Sequence, residues 1–148
     1  MQSRADRRWS YTGIGAVDPD GKLASAPRSQ WARLGDGSII EALLRFDMGI
    51  ATPSVMVERD LVHEVGAFDE QQRYGEDYQL WFRLALRSEV SVSPEPLVYV
   101  RNGHVDRYTR DRAAEYEARI RLFGTMGEII PRGRLLSTLS EETRRDRA

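Results

Sequence analysis

The segment from residue 76 to residue 87 carries the feature that most constrains the fold, an apolar pattern with the period of a helix. The apolar positions recur at i, i+1, i+4 and i+5, and they are Leu80, Trp81, Leu84 and Ala85. The residues expected on the opposite side are Gln79, Arg83 and Arg87. This pattern predicts an amphipathic helix over Glu76–Arg87 with one buried face.

Segments typical of β-strands lie on both sides of this helix. Trp9–Val17 is rich in aromatic and β-branched residues and leads into the turn sequence Asp18–Gly21. Val90–Arg101 alternates in part, and its two prolines are expected to bend its start. Thr52–Val57 is a short β-branched run. Together these segments predict an α/β fold, with a mixed sheet flanked by helices.

The remaining segments are shorter or less regular. Ser38 with Glu41 forms a capping pattern for a short helix that ends near Phe46, and Gly66 is expected to stop a helical turn over 59–65. A second long helix is predicted over 107–126, with Tyr116, Ile120 and Phe123 on one side. We interpret residues 22–37 as a surface loop and residues 131–148 as a charged C-terminal tail.

Composition excludes several functional classes. The 148 residues include 22 basic and 23 acidic side chains, so a formal net charge of −1 disfavours binding to nucleic acid. There is no cysteine for a disulfide, a zinc–thiolate site or a thiol nucleophile. No stretch approaches the roughly 18 uncharged apolar residues of a membrane span, and no signal peptide is visible. We therefore expect a cytoplasmic protein, with peripheral contact at the inner face of the cell membrane left open.

The adjacent carboxylates Glu76 and Asp77 at the start of the predicted helix are the sharpest chemical feature. Helical spacing places Asp77 on the same face as Leu80, Trp81 and Leu84. An acidic residue at a helix start is most simply a cap, because it accepts hydrogen bonds from the free N–H groups there. One inward-facing member of an adjacent pair is also typical of a positioned general base. The two roles are compatible.

A series of motifs in a fixed order resembles the C-terminal half of family 2 glycosyltransferases, which have a GT-A fold. The motifs are Pro53–Arg59, Val65–Glu70, Gly75–Leu84, Pro96–Arg101 and Gly103–Arg107. The resemblance covers most of residues 9–107. It implies transfer of a sugar from a nucleotide-sugar donor to a hydroxyl of a carbohydrate or lipid-linked acceptor, with inversion at the anomeric carbon.

The resemblance also implies roles for individual residues. The Glu-Asp motif of the family falls on Glu76 and Asp77, so Asp77 would be the general base and Glu76 would orient the acceptor or brace the loop. His104 would reach the donor diphosphate or its bound Mg²⁺ or Mn²⁺, and the alternative interpretation is an ordinary histidine of a surface loop. Substrate contacts are expected from Thr52 and Ser54 beside the sugar pocket, although strand propensity explains both residues as well, and from Arg101 at the end of the last strand.

One part of the family pattern is missing. The nucleotide-binding half, with its Asp-x-Asp metal motif, would precede Trp9, so residues 1–130 are interpreted as a partial, acceptor-side domain. The resemblance leaves open a truncated enzyme or a non-catalytic, carbohydrate-binding or interacting remnant. The Gln-x-x-Arg-Trp motif of processive polysaccharide synthases is absent, which argues against a membrane-embedded polymerase.

Other residues have simpler interpretations. The spacing of Asp18 and Asp20 imitates a metal motif, but the Pro-Asp-Gly sequence predicts a turn. His63 is expected to be an ordinary helix residue. Trp81 and Phe68 are interpreted as core residues rather than as stacking platforms for an acceptor, and Arg83 as a surface arginine.

Overall fold

The computed structural model describes residues 7–28, 39–44, 49–101 and 112–129. The strands in these residues are β1 (Trp9–Val17), β2 (Leu23–Arg28), β3 (Val55–Val57) and β4 (Val90–Arg101). The helices are α1 (Ile40–Leu44), α2 (Arg59–Glu64), α3 (Glu76–Arg87) and α4 (Arg112–Ile129), and a 3₁₀ turn covers Thr52–Ser54. His104, Ser38, Phe46 and the predicted tail 131–148 lie outside the described residues.

Strand β1 is the centre of a mixed sheet. It pairs with β4 in parallel on one edge, from Trp9 opposite Val90 to Val17 opposite Arg101. On the other edge it pairs antiparallel with β3 near its start and with β2 near its end. The α/β class and the mixed sheet are therefore confirmed.

The prolines of β4 produce the expected irregularity. Thr12 is opposite Ser93, whereas Gly13 is opposite Pro96, so the register shifts at this point. A Cβ atom on Gly13 would lie 2.6 Å from the carbonyl oxygen of Pro94. A glycine is needed here because any side chain would collide with the displaced backbone of β4.

Two local predictions were wrong. Part of the predicted loop 22–37 is strand β2, because the turn at Asp18–Gly21 folds the chain back onto the free edge of β1. The predicted strand Thr52–Val57 is a 3₁₀ turn followed by the short strand β3. Pro53 in the first turn of this element favours the helical conformation over a strand.

Helix α3 has the predicted bounds but is buried on more than one face. Trp81 stacks on Trp9 of β1, with ring centroids 6.1 Å apart and an interplanar angle of 16°. Phe82 is fully buried, and Gln79, which was predicted to lie on the polar side, is only 6% exposed. Helices α1 and α4 both contact α3, which explains why its second face is covered.

The buried face of α4 differs from the prediction. Ala118, Leu122 and Met126 are buried at intervals of four residues, and the last two belong to the main core. Tyr116 and Ile120 are 70% and 68% exposed, so the side on which the sequence groups them is not the packed side. The side chain of Phe123 lies outside the described residues. Because apolar residues occur on several sides of this helix, its sequence did not specify which side packs.

Both predicted turns are confirmed. At Asp18 the carboxylate accepts hydrogen bonds from the backbone N–H groups of Asp20 and Lys22, at 3.0 and 2.8 Å. This carboxylate therefore stabilises the β1–β2 turn. After α2 the chain reverses at Gly66, whose φ angle is +87°. The N–H of Gly66 donates to the carbonyl of His63, and the N–H of Ala67 donates to that of Val62.

Arg8 connects the start of β1 to α2. Its guanidinium donates to Glu58 at 2.7 Å and to both oxygens of Glu64 at 2.9 Å. These hydrogen bonds lower the pKa of Glu64 and raise that of Arg8. At the same end, the backbone N–H of Arg8 and the indole N–H of Trp9 donate to Ser88 after α3. This end of α3 is thus fixed to β1 and α2.

Among the described residues, no helix is both long enough and apolar enough to span a bilayer.

The buried phenol of Tyr11 provides a test of the core. Burial raises the pKa of Tyr11 from 10.0 to about 12. The folded state favours the neutral phenol. The contribution of Tyr11 to the free energy of unfolding is therefore complete below pH 10 and is lost as the pH rises to about 12. A pKa shift of this size corresponds to about 3 kcal/mol in the free energy of unfolding.

We expect Tyr11→Phe to remove this part of the alkaline decline in the free energy of unfolding, as measured by urea denaturation over that pH range. Parallel stability–pH curves for Tyr11→Phe and the wild type would contradict this assignment.

Candidate functional site

An open cleft of about 620 Å³ lies beside the N-terminus of α3. We call it the acidic cleft, because four of its lining residues are carboxylates. Its lining residues are Thr52, Phe68, Asp69, Glu70, Gln72, Arg73, Glu76 and Asp77. Three residues predicted for the site, namely Thr52, Glu76 and Asp77, therefore meet in one cleft.

Asp77 has the most defined environment in the acidic cleft. Its Oδ2 accepts a hydrogen bond from the hydroxyl of Thr52 at 2.9 Å, and its Oδ1 accepts one from the backbone N–H of Tyr78 at 2.7 Å. The residue before the helix is Gly75, with a φ angle of +73°, so no side chain caps α3 from that position. Asp77 thus satisfies one free N–H of the helix start and also holds a hydroxyl group.

The 3₁₀ turn brings the Thr52 hydroxyl to this carboxylate. The hydroxyl of Ser54 donates to the carbonyl of Ala51 at 2.7 Å, which closes the turn from inside. Directly after the turn, Val55 pairs with Tyr11 of β1. The position of Thr52 is therefore fixed by the central strand. Ser54 itself is buried, so its side chain supports the turn, and its predicted substrate contact remains a prediction.

Arg83 fixes the loop that forms the opposite wall, so its assignment as a surface arginine was wrong. Its guanidinium donates to the carbonyls of Val65 and Ala67, on either side of Gly66. Ala67 has a φ angle of +54°, a left-handed conformation that is unfavourable for a residue with a Cβ. Burial lowers the pKa of Arg83, and the nearby Asp69 opposes this effect.

Phe68 follows this strained turn and was wrongly interpreted as a core residue. Its side chain is 46% exposed. One edge contacts Trp81, with ring centroids 6.5 Å apart and an interplanar angle of 74°. Phe68 lines the acidic cleft and also a neighbouring cavity of about 430 Å³ that Arg83 and Gln79 border. The two residues before Phe68, Gly66 and Ala67, both have left-handed backbone conformations.

Sequence reasoning missed Arg83 and Phe68 for different reasons. The glycine that ends α2 indicates that the backbone carbonyl groups there need hydrogen-bond donors from outside the helix. From this signal an arginine donor could have been predicted. The exposure of Phe68 has no such signal, because it depends on the backbone conformation of Ala67.

The predicted site residue Arg101 lies elsewhere. It ends β4 opposite Val17, and its guanidinium donates to the carbonyl of Pro19 in the β1–β2 turn. It does not belong to the lining of the acidic cleft, and its substrate role remains a prediction. The same holds for His104, which lies outside the described residues.

The carboxylates of the acidic cleft do not form a metal centre. Within the described ranges, no group of three or more Asp, Glu or His side chains converges in a way that could hold an ion. The Mg²⁺ or Mn²⁺ that the family resemblance implies remains a prediction.

No protein-family model, curated protein or solved structure matches this chain. The resemblance to family 2 glycosyltransferases therefore rests on the order of the sequence motifs alone.

We predict that Arg83→Lys destabilises the loop over residues 65–69, because an ammonium group cannot reproduce the two-pronged contact with two carbonyls. The free energy of unfolding should fall by about 1–3 kcal/mol, as measured by urea denaturation. Arg87→Lys is the matched control, since Arg87 is an exposed arginine on the same helix. Equal stability losses in the two variants would contradict the role of Arg83.

Proposed function

We propose that the acidic cleft is the acceptor side of an inverting glycosyltransferase site with a GT-A type sheet, and that Asp77 is its general base. The observation that carries this proposal is the hydrogen bond from the Thr52 hydroxyl to Asp77 at 2.9 Å. It supports the proposal because an alcohol already lies at the distance that proton transfer requires. An acceptor hydroxyl entering the cleft would take the same kind of position.

The proposed reaction balances without a further reactant. Asp77 takes the proton of the acceptor hydroxyl while its oxygen forms a bond to the anomeric carbon of a nucleotide-sugar. The bond from that carbon to the donor phosphate breaks on the opposite face, and the nucleoside diphosphate leaves with the electron pair. An alcohol is a weak nucleophile at neutral pH, so a base aimed at its proton accelerates this step.

The neighbouring residues have supporting roles in this proposal. Glu76 lines the same cleft and would accept hydrogen bonds from other hydroxyl groups of the acceptor. Thr52 would keep the Asp77 carboxylate oriented until the acceptor displaces its hydroxyl. The acceptor would be a carbohydrate or a lipid-linked carbohydrate.

One observation favours a second function, the binding of carbohydrate without catalysis. Both oxygens of Asp77 already have partners within the protein, from Thr52 and from Tyr78. A residue engaged in this way also satisfies a purely structural role at the helix start. The loss of turnover described next separates the two functions.

We predict that Asp77→Asn lowers kcat for glycosyl transfer at least about 100-fold and leaves the KM for the donor nearly unchanged, because an amide cannot accept the proton. The measurement is release of nucleoside diphosphate from a panel of uridine, guanosine and thymidine diphosphate sugars, with methyl glycosides as acceptors and Mn²⁺ or Mg²⁺ present.

Asp60→Asn is the matched control, since Asp60 also lies in the first turn of a helix, α2, but away from the cleft. It should retain wild-type turnover. Normal turnover by Asp77→Asn would contradict the assignment of the base.

A further inference from the structure

Among the residues that the structure describes, Phe68 is the one aromatic side chain in the lining of the acidic cleft. The other lining side chains are carboxylates, amides, a hydroxyl and the guanidinium of Arg73. Phe68 is 46% exposed to solvent, whereas the rings of Trp9 and Trp81 are buried in the core beside it. The ring provides the otherwise polar cleft with one apolar surface on which a ligand can pack.

The ring is held in place by the protein rather than by a ligand. The guanidinium of Arg83 holds the carbonyls on either side of Gly66, and so fixes the backbone just before Phe68. The edge contact with Trp81 supports the ring from the interior. A positioned ring binds a ligand without the entropic cost of ordering it first.

The chemistry of the cleft fits a pyranose ring. The C–H groups on one face of a pyranose carry a small positive charge and pack on the negative face of an aromatic ring. The hydroxyl groups at its edge are hydrogen-bond donors, and the carboxylates of Glu76 and Asp77 are acceptors. An acyclic polyol offers the same hydroxyl groups but no flat C–H face.

We propose that Phe68 is the platform on which a pyranose ring of the acceptor stacks, with its hydroxyl groups directed to the carboxylates of the acidic cleft. Phe68 is then a specificity-determining residue that selects cyclic sugars over open-chain polyols. This inference rests on the proposed function for the identity of the sugar as the acceptor, but its test requires no turnover.

The test is an NMR titration of the full 148-residue chain with methyl β-D-glucopyranoside and, separately, with sorbitol. The chain has four phenylalanines, and the ring signals of Phe68 are assigned by their absence in Phe68→Leu. We expect the pyranoside to shift these signals and sorbitol to leave them unchanged. Phe68→Ala should weaken pyranoside binding about fivefold, and Phe68→Tyr should retain it.

Met56→Ala is the matched control, since Met56 is an exposed apolar side chain, 76% accessible, that does not line the cleft. It should bind the pyranoside as the wild type does. Phe68→Leu keeps apolar bulk at this position, so weakened binding by this variant supports the aromatic platform against simple loss of apolar surface.

Three results would overturn the proposal: unchanged binding by Phe68→Ala, equal shifts with sorbitol, or no shift of the Phe68 signals in the wild type. The proposed function fails separately. If the pyranoside binds at Phe68 while Asp77→Asn retains full turnover, the platform stands and the assignment of the base is wrong.

Discussion

The burial of α3 between the sheet and its neighbouring helices is the constraint on which the rest of the structure depends. The stack of Trp81 on Trp9 joins the helix to the central strand, and α1 and α4 contact it as well. Such large aromatic contacts dominate core energetics. Once the helix is fixed, its N-terminus places Asp77 in the acidic cleft, and Arg83 near its middle holds the opposite wall.

The proposed chemistry depends on this arrangement because the two walls come from distant parts of the chain. The position of Thr52 is set by the pairing of β3 with β1, whereas the position of Phe68 is set by the loop between α2 and α3. Asp77 lines the same cleft, and both of its carboxylate oxygens have partners. It accepts a backbone N–H at the start of its helix, and it holds a hydroxyl group. A carboxylate fixed by its own helix is a well-positioned base, since it loses little freedom when a substrate binds.

Periodic segments could be predicted from the sequence, and features that depend on tertiary contacts could not. The bounds of α3 and β4 follow from apolar spacing, and the stop at Gly66 follows from the conformational freedom of glycine. The burial of Gln79 could not be predicted, because it depends on other helices covering the second face of α3. In the site, the pair Glu76 and Asp77 was visible in the sequence, whereas the exposure of Phe68, which follows the left-handed Ala67, was not.

The central claim is that Asp77 activates an acceptor hydroxyl for direct displacement at the anomeric carbon. The most direct measurement is the anomeric configuration of the product, read by proton NMR after transfer from an α-linked nucleotide-sugar. A single displacement assisted by Asp77 predicts a β-linked product. A product that retains the α configuration would contradict the account, because retention requires a different mechanism from attack by one base-activated hydroxyl.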